Sequence, residues 1–142
     1  MRTLLKFVLI FLALGAGFFA NDLMNAISQQ SQSSDLSQHC MLSTQTCVQN
    51  QAQMSLAQDM THPLVANRMR VTWPNSEAKQ LELTLKGVEM DMGVLKFVLK
   101  PTSSGQFETD LILPVCTSDS MTWTGKLSDG ETTVLPAIRM QR

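Results

Sequence analysis

The sequence has no tyrosine, only two histidines, only three cysteines and no surplus of positive charge. The shortages are informative. Setting aside Arg2 and Lys6 leaves 11 − 2 = 9 basic residues against 12 acidic ones, a balance of −3. Nucleic-acid binding needs clustered Lys and Arg to neutralise phosphates, so that class of partner is excluded. Three cysteines and two scattered histidines do not compose a four-ligand zinc site. Six residues separate Cys40 from Cys47, not the two of a thioredoxin-like redox motif. No G-x-S-x-G, H-E-x-x-H, phosphate-loop or dinucleotide fingerprint occurs, and no base is placed beside Cys116, so the chain reads as a non-enzyme. Repeats are absent, and nothing alternates strands with helices as a parallel sheet requires.

One long apolar run is present. Arg2 and Lys6 precede an uncharged stretch from Phe7 to Asn21, and the first acid is Asp22. This is the basic-then-apolar order of an export signal or a membrane anchor. A full span takes about 20 apolar residues, which Leu4–Met24 supplies if Lys6 snorkels. Basic residues before the run and Asp22 and Asp35 after it place the remainder outside. The bulky Phe18-Phe19 pair spoils cleavage after Ala20, whereas Gly15 suits cleavage after Gly17. The first outcome leaves a single-pass protein of the inner (cytoplasmic) membrane with its C-terminal domain on the periplasmic side; the second releases a secreted protein. Residues 1–21 are therefore signal or anchor, an N-terminal hydrophobic helix. Residues 22–49, rich in Ser and Gln, read as a polar stalk.

From about residue 50 the apolar period becomes two. Met69, Val71 and Trp73 alternate with Arg70 and Thr72; Leu81, Leu83 and Leu85 with Glu82, Thr84 and Lys86; Leu95, Phe97 and Leu99 with Lys96, Val98 and Lys100. Phe107, Thr109, Leu111 and Leu113 form a further row. Such alternation sets one face in a core and the other in water. Pro74-Asn75-Ser76 and the segment ending in Gly105 break the runs, and Ser128-Asp129-Gly130 reads as a hairpin turn. Ala52–Asp59 suits a first strand or a short helix. Residues 50–142 are thus expected to form an all-β domain, an immunoglobulin-like antiparallel sandwich of six or seven strands, with an open barrel as the alternative.

The sulfur content is the candidate chemistry. The chain has 10 methionines. In an extended Gly87–Gly93 segment, Met90 and Met92 project from one face and Glu89 and Asp91 from the other, as a solvated edge. Two thioethers so placed suit a soft ion, Cu(I). Cys116 and Met121 offer further soft donors, and Trp123 a ring to cover the cation. His62 is an additional candidate. The competing role for every one of these is packing, since Met fills irregular cores and a buried Cys behaves as a small hydrophobe. In an oxidising compartment Cys40 and Cys47 can close a small loop and leave Cys116 free; Cys47–Cys116 and Cys40–Cys116 are the alternatives.

The short apolar N-terminus (Leu4–Ala20), the run Leu83-Thr84-Leu85-Lys86-Gly87-Val88-Glu89-Met90-Asp91-Met92-Gly93, and Gly105-Gln106-Phe107 leading into Leu113-Pro114 resemble the FixH-like and YtkA-like proteins. These are small membrane-anchored β-sandwich domains linked to copper handling and cytochrome oxidase assembly. The resemblance implies Met90 and Met92 as ligand positions, Cu(I) as cofactor, and a copper donor or an oxidase-assembly protein as partner. The alternative function is a metal-free, membrane-anchored interaction module.

Overall fold

The computed structural model describes residues 36–142. The expected leader and N-terminal helix at 1–21, and stalk residues 22–35, lie outside the described residues. Every element from there on is a strand: β1 (Cys40–Met41), β2 (Cys47–Gln49), β3 (Ala52–Leu56), β4 (Asn67–Thr72), β5 (Leu81–Gly87), β6 (Val94–Ser103), β7 (Gln106–Leu111), β8 (Ser120–Ser128), β9 (Thr133–Val134) and β10 (Pro136–Gln141). The domain is all-β. Its sheet runs β1-β10-β8-β5-β6-β7-β4-β3-β2, with β9 on β8, and is nearly closed into a barrel.

Burial follows the period of two. Met69 and Val71 on β4, then Trp73, and Leu81, Leu83 and Leu85 on β5 are all buried, while Arg70, Glu82 and Lys86 between them face water. Leu99, Phe107, Leu111, Leu113, Leu127 and Ile138 complete the core from the other strands. Each fully buried side chain of this size stabilises the fold by about 1.5–3 kcal/mol before entropy is counted. Ser76 N–H donates to the Trp73 carbonyl at 3.1 Å, closing the turn expected at Pro74–Ser76. Gly105 turns β6 into β7 with φ +68°, a conformation that favours glycine.

The structure differs from expectation in four places. Ten strands replace six or seven. Seven have at least five residues, and β1, β2 and β9 are too short to show a period. The sheet begins at Cys40, so the end of the segment assigned to the stalk supplies its two edge strands, Cys40–Met41 and Cys47–Gln49. The pairing is not wholly antiparallel, since β1 runs parallel to β10 with Cys40 opposite Pro136. Finally, Leu95 and Phe97 are only half-buried, although they alternate as core residues do. The cause is that β6 is shared. Val94–Leu99 pair with β5, whereas Lys100–Ser103 pair with β7 across an irregularity between Pro101 and Ser103.

Cys40 and Cys47 form a disulfide with Cα atoms 6.1 Å apart, and Cys116 is a free, buried thiol. The bond does more than staple a polar loop. Because β1 and β2 are the two ends of the strand order, it ties one edge of the sheet to the other.

Candidate functional site

The loops that follow β3, β5 and β7 and the C-terminus all lie at one end of the domain, where β8 begins. Residues 57–66 are held there by Asn67, buried at the start of β4. Its side-chain amide donates to the Gln58 carbonyl and the Thr61 hydroxyl and accepts from Gln58 N–H, which satisfies a buried polar group fully. Thr61 bridges to Met140, and Leu64 N–H donates to the Leu113 carbonyl at 2.9 Å. Arg142 N–H donates to the Asp119 carbonyl at 2.9 Å.

The segment Val88–Gly93 is fixed on β8. Val88 N–H donates to the Thr122 carbonyl at 3.0 Å. Glu89 accepts from Thr122 N–H at 2.7 Å and from its hydroxyl at 2.9 Å, and pairs with Arg139 at 3.1 Å. Arg139 also donates to the Thr122 and Ser120 hydroxyls. Glu89 is therefore not the freely solvated edge expected; it is the acceptor that pins this loop. Partial burial pushes its carboxyl upward, but the Thr122 donors and Arg139 outweigh that, and its pKa lies below the ordinary carboxylate value. Asp91 accepts from Gly93 N–H at 3.0 Å, and Gly93 takes φ +77°. Gly87 is required for a different reason: a Cβ there would collide with Met121 Cε and the Met90 carbonyl.

The structure brings into contact two loops that carry members of the sulfur set. The Thr117 hydroxyl makes a long 4.0 Å contact to Met90 Sδ, so the 88–93 loop meets the loop that carries Cys116. Met121, on β8, sets its Cε against Gly87 at the end of β5. Met90 and Met92 are both half-buried and pack on the core. Cys116 is 3% exposed, and its thiol donates to the Ser118 carbonyl at 3.2 Å. Met121 and Trp123 are 0% exposed, which places the indole inside the packing rather than over an open site. Among the described residues Trp123 Nε1 has no hydrogen-bond partner. His62 is exposed, with Nδ1 2.8 Å from the Gln141 carbonyl, on the loop held by β10.

Two features escaped the sequence. The Glu89–Thr122–Arg139 network joins residues 33 and 50 positions apart, and no local pattern announces it. Asn67 has the same character: only its burial distinguishes it from an ordinary turn asparagine. No cluster of three His, Cys, Asp or Glu side chains suited to a metal ion occurs among the described residues. The chain matches no family model, no curated protein and no solved structure.

Proposed function

We propose that the chain is an exported, membrane-tethered accessory protein that holds Cu(I) at the loop end of its β-domain, in copper handling or respiratory oxidase assembly. The contact between Met90 and Thr117, the neighbour of Cys116, carries this reading. It brings the 88–93 loop, which carries Met90 and Met92, against the loop that carries Cys116, on a frame pinned by Glu89 and Asn67. The proposed donors are the half-buried Met90 and Met92 together with the buried Cys116 and Met121. Thioethers carry no proton and suit a soft monovalent ion outside the cytoplasm. Export rests on the Arg2/Lys6-plus-apolar leader, and the FixH-like and YtkA-like role on the Leu83–Gly93 resemblance.

The immunoglobulin-like form of the fold belongs to the same proposal. Strands β3, β4 and β7 and the second half of β6 stand in the order of one sandwich sheet, A-B-E-D. Strands β5, β8 and β10 stand in the order of the other, C-F-G.

Anaerobic Cu(I) titration of the full chain tests the metal, with free thiols counted by mass spectrometry. The expected result is one Cu(I) per chain, one free thiol, and loss of binding in the Met90→Ala/Met92→Ala variant. Unchanged binding in that variant removes the donor set. No binding by the natural chain removes the metal. The burial of Met121, Trp123 and Cys116 favours a second reading, a metal-free interaction module in which these side chains only pack.

A further inference from the structure

The described strands leave one long ladder edge unused. Val94–Leu99 of β6 pair with β5 on one side and with no strand among the described residues on the other, because β7 joins β6 only from Lys100 onward. Beyond that fork a groove of about 440 Å³ opens, lined among others by Arg68, Val98, Lys100, Glu108 and Asp110. The inner face of the free stretch is half-buried Leu95 and Phe97, and its outer face shows Val94 at 58% and Val98 at 43% exposure. An edge with free amides and carbonyls and apolar side chains is a template for another strand.

The charges indicate which strand. On the β7 wall Arg68 is already paired with Asp110 through two hydrogen bonds, of 2.8 and 3.1 Å, and lies 4.0 Å from Glu108. That wall offers little unbalanced charge to select a foreign peptide. The β6 edge itself, Val-Leu-Lys-Phe-Val-Leu-Lys from 94 to 100, is self-complementary. Pair its free part antiparallel with a second copy about Phe97, and Lys96 stands opposite Val98, Leu95 opposite Leu99 and Phe97 opposite itself, the pairing ending where Lys100 meets Glu108 of β7. No lysine faces a lysine, and each lysine stem covers a valine. Centring the pairing on residue 96 instead sets Lys96 against Lys96, which like-charge repulsion disfavours, and centring it on 98 leaves only residues 97–99 to pair before Lys100 meets β7.

We propose that two copies of this chain associate through their β6 edges, antiparallel and centred on Phe97, as a two-fold dimer that joins both sheets into one. Pairing over about five residues (95–99) makes a small interface, so the dimer is weak and depends on concentration. This inference does not rest on copper binding.

Light scattering coupled to size-exclusion chromatography tests it on the full chain in mild non-ionic detergent, at high micromolar concentration. The expected protein mass is twice 15.7 kDa, falling toward the single-chain value on dilution. Val98→Lys should abolish the dimer by setting lysine against Lys96 of the second copy. The fold should survive it, since residue 98 is exposed and lies across from Glu82 on β5; an unchanged melting transition checks this. Adding Lys96→Glu to Val98→Lys should restore the dimer by setting opposite charges across the seam. A single-chain mass for the natural protein at high concentration overturns the proposal. So does a dimer that Val98→Lys leaves intact, or a failure of the double variant to restore it.

Discussion

The sheet is interrupted in two places, and the protein treats them differently. Where β1 and β2 end the strand order, the gap is clasped by the Cys40–Cys47 disulfide. Where β6 and β7 part beyond Lys100, the gap is left open. Strand length explains the contrast. Strands of two and three residues carry too few hydrogen bonds to hold an edge, so a covalent bond does it. A strand of ten residues is long enough to lie in one ladder for its first half and in another for its second, and no clasp is needed. The cost is one exposed edge.

The contrast is broken most strongly at the clasp. Replacing Cys40 and Cys47 by Ala should cost about 2–3 kcal/mol, the chain-entropy value for a loop of this size. Denaturant unfolding reads the loss. Hydrogen exchange should show faster opening of β1 and β2 while β5 and β8 keep their protection; uniform acceleration would mean that the clasp holds the whole barrel and not one seam.

Gly87→Ala comes next. The added methyl meets Met121 Cε and the Met90 carbonyl, and such overpacking costs about 1–3 kcal/mol. Thermal melting measures it, and pairing it with Met121→Ala should recover part of the loss, because the obstructing methyl is then gone.

Glu89→Gln should destabilise by about 1 kcal/mol, discounted from the usual value of a charged hydrogen bond because the carboxylate is partly exposed. The same residue gives a pH dependence. Its folded pKa is lowered, so its contribution is fully present above its unfolded value of 4.5 and is lost as pH falls through the lower folded value. Stability of the natural chain and of Glu89→Gln should converge in that acid window. Parallel curves would show that the Thr122 and Arg139 contacts do not distinguish the two protonation states.

The fork should respond least. Val98→Lys is expected to change folding stability by less than about 0.5 kcal/mol, as exposed substitutions do. Equal losses at clasp and fork would erase the distinction between them.

The alternating rows were legible because a period of two is a local property. Leu81, Leu83 and Leu85 must share a face whatever strand lies beside them, and Met69, Val71 and Trp73 likewise. The same logic explains Leu95 and Phe97. Alternation states which way a side chain points, not whether a second sheet covers it. At β6 the covering sheet has diverged, and a core pattern ends half in water. Of the sulfur set, the sequence showed which donors exist and could not show which are sealed. Met121 and Trp123 lie on the buried strand β8 whereas Met90 lies on a loop, and a strand's depth depends on its pairing partners.

Residue order alone determined the positions of the longer alternating strands, the turns at Pro74–Ser76 and Gly105, and the absence of basic clusters and catalytic motifs, because each depends on neighbours within a few positions. Tertiary structure decided the disulfide partner, the parallel seat of β1 on β10, the shared β6 and the anchoring of Glu89 by Thr122 and Arg139. These are contacts between residues far apart in the chain, and their energies exist only once the intervening strands have been placed.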